Sequence, residues 1–321
     1  RATPQQMVAI LLGDYHTLSP QTIAQEYDHL NVDLQALETY IEQLSTNRPD
    51  LSPSKRECYL LQAVAIHKVA THFGGTYPQK KIHSFFGRTY YEGYSIQNVC
   101  KELRLAILGG GWDYDIRSCV VSWKLGFAND YINKQGLTGK ISDHFPYSHL
   151  YSVDKKLLIN AIAKVVFFDD TYSPAEQRKL IKEAFTALNF GAKLGDYRRL
   201  DKRGRDKPTA LRTILCDPEE LRRFNTSEFV LGFKEEQDCL NQVIFNQFCD
   251  NHPQLLSAPE FRSKGGRLQR TKIMAYAFQH AETDVMNEVR RIAASHCLTV
   301  LAHIHDGLIF QKRLSKAVKA Q

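Results

Sequence analysis

The sequence predicts an α/β protein in which a small antiparallel sheet is set among helices. Two observations carry that expectation. Long stretches place apolar side chains at helical intervals. Near the C-terminus the apolar run Leu298-Thr-Val-Leu-Ala-His-Ile304 is separated from a second one, Leu308-Ile-Phe310, by His305-Asp306-Gly307, the pattern of strand, tight turn and strand.

A chain of 321 residues can form a sizeable core and two or three subdomains. At 43% hydrophobic and 24% charged residues its composition is that of a soluble globular protein, and it has neither internal repeats nor low-complexity tracts. Its longest apolar runs, such as 161–168, are short and broken by charge, so no bilayer-spanning segment is expected. The opening residues lack the basic-then-apolar order of a signal peptide, and a chain starting at Arg1 is expected to have been processed or trimmed. These features point to the cytoplasm. The seven cysteines show no CxxC pair or regular spacing, so neither a zinc site nor a disulfide framework is expected, and they read as reduced core thiols. The net charge of +7 permits a polyanionic partner without requiring one.

Taken in order, residues 20–46 have helical periodicity, and Leu51-Ser-Pro opens a second helix reaching about Phe73. The first hundred residues therefore read as mainly helical. Gly74-Gly75-Thr-Tyr-Pro78 breaks the pattern, and short extended segments are expected on both sides of Gly109-Gly110-Gly111. Ser173-Pro174-Ala-Glu176 combines a serine cap, a proline in the first turn and a glutamate three residues on, so a helix should run to about Asn189 and stop near Gly191. The charged stretch 196–207 reads as an exposed loop. A last helix spans roughly Thr271 to Cys297.

Asp306 sits at the tip of the C-terminal hairpin, where a sheet holds a carboxylate rigidly yet open to solvent, as a metal ligand requires. Asp-Gly is also an ordinary tight turn. A second acidic position lies in Trp112-Asp113-Tyr114-Asp115-Ile116, with Asp113 and Asp115 both candidates and Asp115 preferred. Two such carboxylates brought together would hold a pair of magnesium ions, which serve phosphoryl transfer. Arg178 and Lys182, four residues apart, share one helix face, as an array against a triphosphate would, or as a solvated basic stripe would. Phe190-Gly191 taken alone is an aromatic followed by a helix stop.

These pieces occur in an order that resembles the A-family DNA polymerases and the phage and mitochondrial single-subunit RNA polymerases. Arg178-x-x-x-Lys182 followed by Phe190-Gly191 is similar to their fingers helix, motif B, with phenylalanine in place of the usual tyrosine. His305-Asp306 is similar to motif C, and Phe278-Gln279-His280 to the element ahead of it. Gly87-Arg88-Thr-Tyr90 resembles the Gly-Arg-x-Tyr of the RNA polymerases, Ser95-Ile-Gln97-Asn98 resembles a segment of the DNA polymerases, and Asp115 stands where their first catalytic aspartate does. The resemblance covers residues 87–310.

It implies a right-hand polymerase: a helical N-terminal region over 1–86, palm over 87–150 with motif A, helical fingers over 151–260 with motif B, and palm again over 261–321 with motif C. It implies Mg2+ held by Asp115 and Asp306, and an incoming nucleoside triphosphate held by Arg178 and Lys182, with Phe190 and Gly191 beside the nascent base pair. Arg88 would meet the nucleic-acid backbone, and Gln279 and His280 the growing 3′ end. A DNA template is favoured, and a second polymerase subunit and a phage or plasmid origin are compatible.

The glutamate that gates the sugar in the DNA-making relatives is missing here, since Ser118 or Val120 stands at its place. That favours ribonucleotides. Phe190, which lacks the hydroxyl RNA polymerases use in sugar selection, pulls the other way. The expected activity is a single-subunit DNA-directed RNA polymerase, the alternative an A-family-like DNA polymerase or primase. Two other classes, a non-catalytic nucleic-acid-binding polymerase-fold subunit and a metal-dependent nuclease, account less well for the Arg178 and Lys182 pair.

Overall fold

The computed structural model describes residues 3–46, 48–168, 171–195, 199–200, 206–304 and 306–319. The chain divides into two compact units, one of residues 1–116 with 279–321 and the other of residues 117–278.

The first unit opens with helices α1 (Pro4–Leu12) and α2 (Pro20–Glu26), strand β1 (Tyr27–Asn31), and helices α3 (Leu34–Thr46) and α4 (Pro53–His72). Strands β2 (Thr76–His83) and β3 (Thr89–Tyr91), helix α5 (Lys101–Ile107) and strand β4 (Trp112–Asp115) follow. Helix α4 starts as expected, with Ser52 accepting from the Lys55 amide and Pro53 in the first turn. The stretch 20–46 is not one helical region. Tyr27–Asn31 pairs antiparallel with β2, Tyr27 opposite Lys80 and Asn31 opposite Thr76. Its buried residues, Tyr27 and Leu30, are three apart, a spacing that suits a helix equally well, so pairing with a distant strand decides the matter. Helix α5 stands where an extended segment was expected before the glycines, burying Leu103 and Ile107 one turn apart. Gly111 has φ +139°, and a Cβ there would lie 2.6 Å from Ile309 Cγ2, so only glycine lets the chain pass against that side chain into β4.

The second unit is largely helical: α6 (Cys119–Lys134), α7 (Ile141–His144), α8 (Pro146–Val166) and α9 (Pro174–Asn189), then α10 (Ala210–Ile214), α11 (Pro218–Thr226) and α12 (Glu228–Asn251). A two-stranded ladder, β5 (Arg199–Leu200) with β6 (Asp206–Lys207), lies within the charged stretch 196–207, whose other residues lie outside the described ones. Helix α9 has the capping box read from its sequence, with Ser173 and Glu176 each bonding the other's backbone amide. Its stripe Ile181, Ala184, Phe185 and Leu188 is buried. There Phe185 meets Tyr151 and Phe233, with ring centroids 5.2 Å away in both cases.

Helix α13 (Arg270–Ser295) begins in the second unit, and its residues from 279 onward belong to the first. Strands β7 (Val300–Ile304) and β8 (Gly307–Phe310) and the short helix α14 (Lys316–Lys319) complete the chain. The strands form an antiparallel sheet in the order β4-β8-β7. Leu308 and Phe310 pack with Tyr114, Met286 and Ala293, whereas Ile309 and Ala302 join the core of Leu37, Leu103 and Ile107. Alternation along β8 thus buries both faces of the strand, which explains its continuous apolar run.

The cysteines are free, and of the expected core thiols only Cys100 packs against the core of the first unit among the described contacts. Cys58, Cys216, Cys239 and Cys297 are exposed and the other three half-buried. Cys58 and Cys239 lie off the buried stripes of their helices, and Cys216 and Cys297 in connections at helix ends. Among the described residues no helix is long and apolar enough to cross a membrane.

Candidate active site

Strand β4 ends on Asp115, which stands opposite Gly307 at the start of β8. The Ile116 amide donates to the Asp306 carbonyl at 3.1 Å, extending the ladder by one bond into the turn. Asp115 and Asp306, 191 positions apart in sequence, thereby sit side by side at one end of the sheet. Their carboxyls are close enough to share a hydrogen bond. His305, the other residue of the motif C resemblance, lies outside the described residues.

Partial withdrawal from water, then the like charge of Asp306 and the hydrogen bond to it, push the Asp115 carboxyl up from the usual aspartate range to about 6. Asp113 adds further like charge, and the Ile116 amide opposes the rise. Asp113 shares the strand face of Asp115 by alternation, but it is engaged elsewhere, 3.4 Å from the Lys101 ammonium. The Asp115 and Asp306 pair is thus a cluster of hard oxygen donors that, among the described residues, forms no ion pair with a basic side chain, which suits Mg2+. A cavity of about 470 Å3 adjoins the pair, lined otherwise mainly by apolar side chains such as Met286, Val289 and Phe310.

Beside the pair, with a carboxylate oxygen within 4.8 Å of one on Asp306, Glu282 is gripped by Arg88, Nε to Oε1 at 2.7 Å and Nη2 to Oε2 at 2.5 Å. The Glu282 side chain is only 2% exposed. An arginine expected to meet a nucleic-acid backbone is therefore held by a fork of two charge-assisted bonds, which fixes its plane. Gly87 has φ +93°, and a Cβ there would lie 3.1 Å from the His280 ring. Thr283 Oγ1 donates to the Gly87 carbonyl, and Gln279 Oε1 is buried without a hydrogen-bond partner. Arg88, Gln279 and His280 thus share one neighbourhood, assembled from the turn before β3 and helix α13.

In the second unit Arg178 and Lys182 share the exposed face of α9, in line with Thr186 and Phe190 at intervals of four. Lys179 is paired with Glu183 at 3.9 Å on the neighbouring row. Among the described residues neither Arg178 nor Lys182 forms an ion pair. Phe190 is 43% exposed, and Gly191 follows with φ +86°. A large aromatic at the end of a basic stripe offers a flat apolar surface beside two positive charges.

Two buried charged residues, one in each unit, escape the sequence reading, and both lie on an apolar stripe. Glu282 lies between Phe278 and Met286, four residues from each, on α13. Lys124 is 1% exposed within the stripe Val121, Lys124, Leu125, Ala128 and Ile132 of α6. A charge at the buried phase of a helical repeat is the signal that would have found them.

No protein-family model and no curated protein matches the chain. Among solved structures it is similar to the polymerase domain of Pol1 from M. smegmatis in complex with DNA primer-template and dNTP, with 14% identity and a TM-score of 0.44. The match covers 99% of this chain and 55% of that one, so the chain spans about half the length of its neighbour. A likeness so distant carries no functional argument, which rests on the residues themselves.

Proposed function

We propose that the protein is a template-directed nucleotidyltransferase, a DNA-directed RNA polymerase of the single-subunit kind. The observation that carries this reading is the apposition of Asp115 and Asp306, two carboxylates held together by the β4 and β8 pairing, with the Asp115 carboxyl raised by partial burial and by the charge beside it. A protein tolerates such repulsion where a cation relieves it. Asp115 and Asp306 would hold Mg2+, which supplies activation of an attacking 3′-hydroxyl and neutralisation of departing pyrophosphate.

The chain's own residues do the rest. Arg178 and Lys182 present two fixed positive charges to a triphosphate, whose transition state spreads negative charge over the leaving phosphates. Phe190 stacks on the nascent base pair, and Gly191 leaves the chain room to turn beside it. Arg88, fixed by Glu282, lies flat against the nucleic-acid backbone near Gln279 and His280.

The absence of a glutamate gate after Asp115 favours ribonucleotides. The bare ring of Phe190 favours the second reading, a DNA polymerase of the A-family kind or a primase. The test is extension on single-stranded DNA and RNA templates with labelled ribo- or deoxyribonucleotides, in Mg2+ and in EDTA. Mg2+-dependent incorporation of ribonucleotides on DNA is expected. Template binding without incorporation of either nucleotide would replace the reading with that of a non-catalytic nucleic-acid-binding subunit.

A further inference from the structure

Helix α9 ends in a Schellman turn: the Ala192 amide donates to the Ala187 carbonyl and the Gly191 amide to the Leu188 carbonyl, both at 2.9 Å. That arrangement leaves the carbonyl of Asn189, the last helical residue, without a partner from its own helix. The partner is Lys124 of α6, whose Nζ donates to Asn189 O at 2.6 Å and to Gln237 Oε1 at 2.8 Å. Gln237 Nε2 in turn donates to Ser148 Oγ at 3.0 Å. Lys124, Asn189, Gln237 and Ser148 are all buried, so a polar seam joins α6, α8 and α12 to the end of α9 through a largely apolar core.

A buried amine is an expensive way to hold a core together, since an apolar side chain of the same volume commonly packs as well or better. What it adds is direction. Two donors aimed at two fixed acceptors specify where the end of α9 lies, and dispersion contacts do not. A positive charge at a helix C-terminus is also favourable. Burial brings the Lys124 ammonium down to about 7, with Asp238 acting against the fall and Lys234 and Arg270 adding to it. The neutral amine still has two N–H groups for its two acceptors, so the anchor does not depend on the charge.

We propose that Lys124 is a positioning residue for the nucleotide site: it anchors the C-terminal end of α9 so that Phe190 and Gly191 keep one conformation. The role at the nucleotide rests on the function proposed above, whereas the anchoring does not. The experiment is Lys124→Met, similar in length and unable to donate, read by amide hydrogen exchange and by single-nucleotide addition. The amides of residues 190–192 should exchange at least about tenfold faster in the variant, with those of mid-α12 unchanged. The nucleotide KM should rise about tenfold with kcat within about twofold, the pattern of lost binding geometry rather than lost chemistry. Gln237→Met, which leaves Lys124 its bond to Asn189, should shift both readouts the same way by less, and it decides the matter if Lys124→Met does not fold. Unchanged exchange at 190–192 overturns the anchor. Faster exchange with an unaltered KM overturns the positioning role. A wild-type protein that adds no nucleotide sinks the proposed function while leaving the exchange result to judge the anchor.

Discussion

The two units handle charge in opposite ways. At the end of the β4-β8-β7 sheet, Asp115 and Asp306 stand side by side, and partial burial together with the neighbouring charge raises the Asp115 carboxyl to about 6. In the core of the second unit Lys124 is far more deeply buried, yet its ammonium meets two well-placed oxygens. Burial alone therefore does not mark a reactive site. An uncompensated charge held by rigid backbone marks a place where something must bind, and a compensated one marks a place where geometry is being held.

The sharpest way to break that comparison is to remove one of the paired carboxylates. Asp306→Asn should abolish nucleotide incorporation while leaving the fold and template binding largely intact, because it takes a charge from the proposed Mg2+ site at almost constant volume. Retention of more than about a few per cent of the wild-type rate would count against the metal role. Asp115→Asn and Asp113→Asn, made separately, should differ, with the larger loss at Asp115, because Asp113 is already paired with Lys101. Equal losses would remove the distinction drawn between them.

Next in size is the basic face of α9. Lys182→Ala should slow incorporation by about two to four orders of magnitude, or about 3–5 kcal/mol of transition-state stabilisation. Template affinity, followed by fluorescence anisotropy, should change far less. A parallel fall in template binding with unaltered incorporation per bound complex would make Lys182 part of a general basic surface.

Smaller effects concern sugar choice and stability. One hydrogen bond is worth about 0.5–1.5 kcal/mol, so discrimination against deoxyribonucleotides should be weak in the wild type and tighten about threefold to tenfold in Phe190→Tyr, measured as a ratio of kcat/KM values. A strong wild-type preference for deoxyribonucleotides would move the assignment to the DNA-making alternative.

The smallest expected effect is on the metal-free fold. Because the Asp115 carboxyl is raised on folding, its contribution to stability is fully present below the ordinary aspartate range and is lost as pH rises through about 6. Asp115→Asn should therefore stabilise the protein at pH 8 in EDTA, by about 1 kcal/mol or less once solvent screening of a largely exposed group is allowed for. A lower melting temperature for the variant under those conditions would show that the pair is not repulsive.

How far the site was legible in the sequence differs by residue. Arg178, Lys182 and Phe190 recur at multiples of four positions along and just past a helix with a complete capping box, so their shared row follows from helical spacing alone, and Gly191 marks its stop. The hairpin carrying Asp306 was legible for a similar reason, since the turn and both strands are contiguous. Strand β1 was not, because Tyr27 and Leu30 satisfy a helical period and only β2, about fifty residues away, supplies the ladder. Arg88 is expected from sequence to meet the nucleic-acid backbone, and nothing near it in sequence announces that Glu282 holds it.

By itself, then, the sequence determined what short-range spacing can determine: the caps and faces of the helices, the C-terminal hairpin and the candidate chemistry of single residues. Tertiary structure alone decided which charges are compensated. Asp115 meets Asp306, and Lys124 reaches the end of α9, through elements that pair or pack across long stretches of chain, while Asp113 meets Lys101 across the glycine turn between α5 and β4. The physical reason is that local periodicity sets which way a side chain points, whereas its electrostatic environment is set by whatever the folded chain brings within a few ångströms of it.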